Sequence, residues 1–306
     1  MNTLHLKYVL EVYKMGSISK AAENLYMNQP QLSKAIKDLE ETIGISIFKR
    51  SSKGVVPTTK GAEFIMYAKG IIAQVERVET LFNAKRSDVL IFDAAVARSA
   101  YISQAFSKFL TSLGKDEHIK INYRETNPVR AIKNVATGEN NIGIIRYHIE
   151  NERYFIQMFE DKELKFERLW EYTEEILVSK ESPLAKLEKI TAKDLTDFIE
   201  VDYGDDVIPF LPPAKAKKKT EAKENKRYIS VYERAGLYDV LRAEKRAFAR
   251  VSPSTDNSYK GLGLKHIPYA GEGGLCCDVI FYRQDYTKTA PDKKFIEILK
   301  DVIDSI

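Results

Sequence analysis

The first sixty residues place apolar side chains at the spacing of three short helices. Apolar residues between Leu6 and Tyr13 recur on one helix face, and Gly16 ends this first helix. Ser17 or Ser19 can cap a second short helix, which a brief turn separates from the third. The pattern therefore predicts a compact all-α head at the N-terminal end of the chain.

The third predicted helix has one apolar side and one polar side. Asn28 is a good N-cap, and Pro30 is tolerated in the first turn. The apolar positions lie four, three and four residues apart: Leu32, Ile36, Leu39 and Ile43. A short helix, a tight turn and a helix with a polar outer face form a helix-turn-helix, which reads the major groove of DNA. The same pattern also fits a three-helix bundle with a solvated polar face.

A basic hairpin is predicted after this helix. Gly44 ends the helix, and the apolar stretch Ile45–Phe48 is typical of a short strand. The segment Lys49–Gly54 is basic and flexible, and the apolar residues Val55 and Val56 return the chain. A wing of this kind can lie along a phosphate backbone or enter the minor groove.

A long helix without proline is predicted from about Thr59 to Ala84. About 26 residues at about 1.5 Å each span roughly 39 Å. The apolar positions alternate four and three residues apart, as in a coiled-coil seam between two copies: Phe64, Ala68, Ile71, Val75, Val78 and Phe82. The alternative is a helix that packs on its own chain. Gly70 within this helix either lowers the helix stability relative to alanine or allows another segment to approach the helix closely.

From residue 88 onward, strands alternate with helices, which predicts an α/β region with a mainly parallel sheet. The first group has strands at 89–94, 119–123 and 142–145 and helices at 99–113 and 129–137. The second group has strands at 175–179 and 199–202 with a helix at 191–198 between them. A strand at 275–282 and an apolar helix from Phe295 to Ile306 close the chain.

Charge distinguishes the two parts of the chain. The net charge is +4 at pH 7. Residues 1–87 contain 13 basic and 8 acidic residues, whereas the remainder contains 35 basic and 36 acidic residues. A small basic head on a nearly neutral body favours contact between the head and a polyanion.

Composition narrows the class of protein. The sequence has neither a run of about 18 apolar residues nor an apolar signal region near its start, which predicts a cytoplasmic protein without a membrane span. The four histidines are scattered without metal-ligand spacing, and neither a nucleophile elbow nor a phosphate-binding loop occurs, so we expect no metal, no cofactor and no enzyme. Cys276 and Cys277 begin an apolar strand, which favours buried structural thiols over a redox switch.

Residues Gly16 to Gly61 resemble the DNA-binding head of LysR-type transcriptional regulators. The pieces AAENL, NQPQLSKAIKDLEE, GISIFKR and PTTKG occur in the order and spacing of that family. The resemblance implies a winged helix-turn-helix followed by a linker helix that dimerises. It assigns contacts with DNA to Ser19, Asn28, Gln29, Pro30, Gln31, Ser33, Lys34, Lys37, Arg50 and Lys53. Lys53 stands where the family often has an arginine in the minor groove.

The rest of the chain resembles the family's effector domain, which consists of two α/β lobes joined by crossing strands and is similar to type 2 periplasmic binding proteins. The similar stretches are Ala131–Arg146, Leu169–Trp170 and Ser182–Ala185. The resemblance does not extend past Pro209. The Lys-rich segment 215–227 is interpreted as an inserted surface loop, with a nucleic-acid contact as the alternative.

We therefore expect a chain of three parts. A winged helix-turn-helix DNA-binding domain is expected at 1–58, a linker and dimerisation helix at 59–87, and an effector-binding domain at 88–306. Within the effector domain, lobe I is expected at about 88–160 and 270–306, and lobe II at about 161–269.

An effector is expected between the lobes, beside the carboxyl ends of strands and the N-termini of helices. Hydroxyls, an amide and arginines at these places suit a small organic anion. The candidates are Arg98, Ser99, Thr126, Asn127, Arg146, Tyr203 and Gly204. Val96 and Ala97 occupy the place of the family's first hydroxyl, so Ser99 is displaced. The alternative is that Arg98 and Arg146 are solvated or salt-bridged at the surface.

These features predict a transcriptional regulator that binds double-stranded DNA at an interrupted palindrome and responds to a small-molecule effector. The linker helix predicts a homodimer, and the family resemblance extends this to a tetramer. A free-standing solute-binding protein would not explain the basic head. The competing hypothesis is a DNA-binding architectural or constitutive regulator that senses no ligand, and a ligand-dependent change in DNA affinity or bending would separate the two.

Overall fold

The computed structural model describes residues 2–51, 54–82, 89–114, 118–205, 227–259, 261–271 and 275–306. The chain divides into two compact units, Met1–Val89 with Asn134–Asn140 and Leu90–Lys133 with Asn141–Ile306. The predicted wing-tip contact at Lys53 and the predicted surface loop up to residue 226 lie outside the described residues. Within the described part, the helices are too short or too polar to cross a membrane.

The first unit begins with three helices and a hairpin. These are α1 (Thr3–Met15), α2 (Ile18–Asn24), α3 (Gln29–Ile43), β1 (Phe48–Ser51) and β2 (Gly54–Pro57). Side-chain oxygens of Asn2, Ser17 and Asn28 cap the three helices. Gly16 and Gly44 end α1 and α3 with left-handed backbone, at φ 60° and 71°. The predicted helices therefore form where the sequence places them, whereas the first wing strand begins only at Phe48 and includes residues 49–51, which were predicted as part of the flexible tip.

The apolar side of α3 lies at the centre of the head. Leu32, Ile36 and Leu39 are buried together with Val9 and Val12 of α1. This is the four-three spacing that the sequence predicts, and it leaves the polar side of α3 outside the core.

The linker helix α4 (Thr59–Phe82) follows the hairpin. Its first half packs on the head, because Ala68 and Ile72 are buried with Leu6 of α1. At the helix start, a Cβ on Gly61 would lie 1.9 Å from the carbonyl oxygen of Ile47. The close approach of helix and chain at this point requires glycine.

The described residues from Val89 onward form two five-stranded sheets with their helices. The elements of the first sheet and its helices are β3 (Val89–Val96), α5 (Ala100–Thr111), β4 (His118–Glu125), α6 (Pro128–Ala136), β5 (Ile142–His148), α7 (Glu152–Asp161), β6 (Leu164–Thr173), β12 (Leu275–Arg283) and α9 (Ala290–Asp304). The strand order is β4-β3-β5-β12-β6. The sheet is mixed, since β3 and β5 are parallel whereas β12 is antiparallel to both β5 and β6.

The second sheet forms the other lobe. Its elements are β7 (Glu175–Ser179), β8 (Ile199–Tyr203), β9 (Tyr228–Val231), α8 (Arg234–Ala243), β10 (Ala247–Val251) and β11 (Leu264–Pro268). The strand order is β11-β7-β10-β8-β9. This sheet is also mixed, because β7 is antiparallel to β10 and β11.

Three sequence-based predictions of the second unit are wrong. The mainly parallel sheet is instead two mixed sheets, since β12 runs antiparallel to β5 and β6, and β7 runs antiparallel to β10 and β11. Strand β6 pairs with β12 in the first sheet, where the rings of Phe159 and Phe166 stack at 4.9 Å, so lobe II begins near Glu175 instead of 161. The segment 191–198 forms turns instead of a helix. Its backbone bonds run between residues three apart, and the Asp194 carboxylate accepts both the N–H and the hydroxyl of Thr191.

Candidate DNA-binding and effector sites

Helix α3 presents a polar surface on the side away from the head's core. Most of the predicted DNA-contacting side chains are exposed: Ser19, Asn28, Gln29, Pro30, Gln31, Lys34 and Lys37. Ser33 is half-buried on the same side. Amide, hydroxyl and ammonium groups in one such row can bond base edges and phosphates.

Asn28 has a structural task at the start of this helix. Its Oδ1 accepts a hydrogen bond from the backbone N–H of Gln31 at 3.0 Å. That oxygen is therefore committed to helix capping, and the DNA contact assigned to Asn28 falls on a residue that also positions Gln29 and Gln31.

Glu40 of α3 connects this helix to the wing hairpin. Helical periodicity does not predict this contact. Its Oε1 accepts hydrogen bonds from the backbone N–H groups of Ile47 at 2.5 Å and Phe48 at 3.0 Å. Thr58 ties the other strand of the hairpin, since its hydroxyl donates to the Ser46 carbonyl at 2.6 Å. These bonds fix the hairpin against α3.

The wing is held to α1 through glycine. The N–H of Val55 donates to the carbonyl of Gly16 at 2.9 Å, and Gly54 has φ +103°. A Cβ on Gly54 would lie 2.6 Å from that same carbonyl oxygen. Arg50 pairs with Val55 in the hairpin register, which places its backbone at the wing, while its side chain lies outside the described set.

Only some residues of the predicted coiled-coil seam on α4 are exposed, because the others pack on the head of the same chain. Ala68 is buried against α1, and Phe64 packs on the same clusters, so these two residues serve the head's own core. Ile71 and Val78 are 41% and 54% exposed. Val75 is half-buried, and the side chain of Phe82 is outside the described set.

An additional apolar residue belongs to this exposed face. Tyr67 is 56% exposed and lies four residues before Ile71. At 100° per residue, the exposed apolar positions fall about 80–120° around the helix from the midpoint between the buried Ala68 and Ile72. The sequence missed this rotation because a seven-residue repeat cannot tell an intramolecular face from an adjacent intermolecular one.

In the second unit, Arg98 and Asp205 join the two lobes. The Nη1 and Nη2 atoms of Arg98 donate to the two carboxylate oxygens of Asp205 at 2.9 and 2.8 Å. The Arg98 side chain is only 6% exposed, and its guanidinium lies 4.6 Å from the ring centre of Tyr203. Burial raises the pKa of Asp205, but the hydrogen bonds and charge of Arg98 outweigh it, so that the pKa lies below its usual value.

The predicted hydroxyl and amide residues lie beside this pair. The hydroxyls of Ser99 and Ser252 are 2.9 Å apart and buried, and they too connect the lobes. Asn127 caps α6 by accepting from Arg130 N–H at 2.8 Å, and its amide donates to Asp205 at 3.3 Å. Thr126 is buried, with its backbone N–H bonded to Val96.

Gly204 lies against the lobe II sheet next to this cluster. Its N–H donates to the carbonyl of Val231 at 2.8 Å, and a Cβ there would lie 2.9 Å from the Tyr232 ring. Gly204 is thus needed where β8 approaches the end of β9. Gly204 has no side chain, so only its backbone could make the predicted contact with an effector.

Two further polar links cross between the lobes. Arg234 in lobe II pairs with Glu125 in lobe I, with Nε to Oε2 at 3.1 Å and Nη2 to Oε1 at 2.9 Å. Gln104 of α5 accepts from the hydroxyls of Thr255 and Ser258 at 3.0 and 3.1 Å. These polar groups of the two lobes are thus bonded to one another.

Arg146 bonds to a carboxylate of its own sheet instead of to the polar groups around Arg98. It forms a two-point pair with the buried Asp278, with both bonds at 2.9 Å, and Tyr101 and Tyr172 donate to the same carboxylate at 2.5 and 2.9 Å. Burial lowers the pKa of Arg146, but the charge of Asp278 outweighs it and raises that pKa. The guanidinium is bonded to a neighbouring strand of its own sheet, and its predicted contact with an effector stays a prediction.

Both cysteines are buried in β12. Cys276 lies with its Sγ 3.4 Å from Nδ1 of His148. Burial raises the pKa of the Cys277 thiol to about 11, which makes its reactive thiolate scarce at neutral pH. The absence of a redox role for these thiols stays a prediction.

The chain is similar to known regulators along most of its length. Residues 4–62 match the family of bacterial regulatory helix-turn-helix proteins, lysR family. Over 291 residues, the chain is 23% identical to the HTH-type transcriptional regulator AlsR of Bacillus subtilis (strain 168), a similarity that covers 93% of this chain and 86% of AlsR.

The fold is similar to that of solved full-length structures. One is CbnR in complex with its target DNA, with a TM-score of 0.65, 15% identity, and 99% of this chain and 100% of that chain covered. Another is a full-length OxyR variant from Pseudomonas aeruginosa, with a TM-score of 0.60, 16% identity, and 99% and 94% covered. The lysR-family match of the head, the similarity to AlsR along the chain and the shared fold together support a LysR-type DNA-binding transcriptional regulator.

Proposed function

We propose that this regulator changes its DNA binding when a small organic anion binds between its two C-terminal lobes. The observation that carries the proposal is Arg98, a largely buried cation that faces the opposite lobe. Its present partner is the Asp205 carboxylate. An anion of similar geometry can take the place of that carboxylate, since planar two-point recognition is what a guanidinium does best.

The neighbouring groups support an anionic effector. Ser99 and Asn127 lie at the starts of α5 and α6, where free backbone N–H groups and the helix dipole favour negative charge. Thr126 immediately follows the last residue of β4. Tyr203 stacks on Arg98 and limits the space over the guanidinium. In this proposal the effector binds Arg98, Ser99 and Thr126, while Arg146 serves the fold.

The DNA-binding part of the proposal uses the polar surface of α3. Gln29, Ser33 and Lys34 enter the major groove, and the wing follows the phosphate backbone. The exposed apolar face of α4 (Tyr67, Ile71 and Val78) joins two copies, which places two recognition helices on an interrupted palindrome. Assembly of two dimers into a tetramer through the effector lobes completes the proposal.

The test is a thermal-shift screen of the full-length protein against small carboxylates and other organic anions. A ligand that binds only the folded state raises the melting temperature. Arg98→Ala and Thr126→Ala should each reduce the shift without changing DNA affinity in the absence of ligand. Arg153→Ala, which removes an exposed arginine from α7, is the matched control and should keep the full shift.

Two results would separate the alternatives. A ligand whose affinity is unaltered in both variants would place the pocket elsewhere in the protein. If no ligand shifts the melting temperature or changes DNA affinity, the chain acts as an architectural or constitutive regulator that senses no ligand.

A further inference from the structure

Three side chains of different chemistry come together at one end of the first sheet. His148 ends β5, and it lies opposite Cys276 of β12 in the antiparallel register. Their Nδ1 and Sγ atoms are 3.4 Å apart. Glu174 adds a carboxylate, and the three donor atoms all lie within 4.8 Å of one another. Among the described residues, this is the one group of three such side chains that meets that spacing.

The cluster sits where the chain crosses between the two lobes. Glu174 is the single residue between β6 in the first sheet and β7 in the second. Cys276 lies at the start of β12, just after the chain returns from β11 of the second sheet. His148 belongs to the first sheet, in lobe I. The cluster therefore brings together a lobe I residue and one residue from each of the two segments that connect the lobes.

The donors match a borderline-soft divalent cation. Imidazole nitrogen, thiolate sulfur and carboxylate oxygen are the ligand set that Zn²⁺ takes in proteins. With metal–ligand bonds of about 2.0–2.3 Å at tetrahedral angles, neighbouring donor atoms lie about 3.4–3.6 Å apart. The observed 3.4 Å between Cys276 and His148 fits this distance. The Glu174 carboxylate lies within 4.8 Å of the other two donor atoms, so a rotation of this half-buried side chain would have to bring it into the same range.

The surroundings leave one side of the cluster open. Cys276 is fully buried, whereas His148 and Glu174 are half-buried, so a metal ion can enter from the side of the latter two. Three protein ligands leave a fourth position for water. The charge of Arg250 acts on Glu174 and weakens cation binding there, although the ion pair of Arg250 is with Glu200.

We propose that His148, Glu174 and Cys276 bind one Zn²⁺ ion at the crossing between the two lobes. The Cys276 thiol loses its proton to solvent on binding, and the metal holds the ends of β5 and β12 to the first crossing. This site is separate from the proposed effector cluster at Arg98 and does not depend on it. The competing explanation is a simple S–H···N hydrogen bond between Cys276 and His148.

The experiment uses untagged full-length protein, stripped with a chelator and kept reduced with a phosphine. Zn²⁺ alone is titrated by calorimetry, and Co²⁺ serves as a coloured substitute. The wild type should bind one Zn²⁺ per chain, and the Co²⁺ form should show thiolate-to-cobalt charge-transfer absorption with tetrahedral visible bands. Cys276→Ser and His148→Asn should weaken Zn²⁺ binding by more than about 100-fold, and Glu174→Gln by at least about tenfold.

Matched controls distinguish ligation from a general effect on folding. Cys277→Ser alters the adjacent buried thiol, and His118→Asn removes an exposed histidine; both should retain wild-type affinity. The proposal is overturned if Cys277→Ser loses binding as Cys276→Ser does, or if wild-type affinity survives Cys276→Ser. Should a variant fail to fold, the wild-type Co²⁺ spectrum decides, because absence of the thiolate charge-transfer band contradicts the site.

Discussion

The guanidinium of Arg98 in lobe I and the carboxylate of Asp205 in lobe II form a two-point ion pair between the lobes. Arg98 is 6% exposed and Asp205 25% exposed, so water screens the pair only in part. Loss of the carboxylate leaves a buried cation without its main counter-charge. The pair therefore stabilises the observed arrangement of the two lobes.

Replacing this carboxylate should destabilise the effector domain. We expect Asp205→Ala to lower the free energy of unfolding by about 1–3 kcal/mol, because Arg98 stays buried after losing charged hydrogen bonds. Urea denaturation followed by circular dichroism measures the change. A double-mutant cycle with Arg98→Ala should show coupling between the two positions. Additive effects in that cycle would contradict the pairing. Asp239→Ala, on the exposed side of α8, is the control and should change stability little.

The same pair predicts a dependence on pH. The folded-state pKa of Asp205 lies below its usual value of 3.8, so its stabilising effect is present above that value and is lost as the pH falls through the folded-state pKa. The stability difference between wild type and Asp205→Ala should be constant from about pH 7 to pH 5 and shrink below about pH 4. Denaturant titrations at several pH values test this. A difference that grows on acidification would show the opposite sign of shift.

Local sequence patterns predicted the head well. Capping by Asn28, burial of Leu32 and Ile36, and the return of the chain at Val55 all depend on residues close in sequence. Hydrophobic periodicity and turn chemistry encode such features directly. The family resemblance added the prediction that the exposed polar face of α3 contacts DNA.

Long-range pairing explains what the sequence did not reveal. Strand β6 joins the first sheet through β12, which lies about a hundred residues later in the chain, and no local pattern encodes that partner. The site residues show the same limit. Arg98 was identified, but its partner Asp205 and the pairing of Arg146 with Asp278 depend on tertiary contacts. Beyond Pro209 the sequence predicted little, and β9, α8, β10 and β11 were missed.

Gly61 should be essential to the junction of the head and linker. A Cβ at this position would lie 1.9 Å from the backbone oxygen of Ile47, which cannot move without breaking its bond to Thr58 N–H at 2.9 Å. We expect Gly61→Ala to destabilise the head by about 1–3 kcal/mol, although alanine favours helices. Thermal denaturation measures the effect. The control Ala62→Gly, at the neighbouring exposed position, should cost no more than about 1 kcal/mol.

The exposed face of α4 should determine self-association. Ile71→Glu with Val78→Glu places like charges at the centre of the proposed seam in both copies, and we expect the dimer to dissociate. Ala62→Glu adds a charge on the opposite face of the helix and should leave the dimer intact. Sedimentation velocity at micromolar concentration measures the assembly state. A wild type that sediments as a monomer would rule out the seam.

Gln29 and Ser33 should determine base preference, whereas Lys37 should act on the phosphates. Binding sites selected from a random DNA library with wild-type protein provide the reference. Gln29→Ala and Ser33→Ala should each weaken discrimination by about 1–3 kcal/mol at particular positions of the site.

Lys37→Ala should weaken binding to all sequences and reduce the slope of affinity against salt by about one ion. Gln157→Ala, an exposed glutamine on α7, is the matched control and should preserve both affinity and preference. Because the polar side of α3 is the surface left free by burial of Leu32 and Ile36, an unchanged preference in both Gln29→Ala and Ser33→Ala would mean that another surface reads the bases.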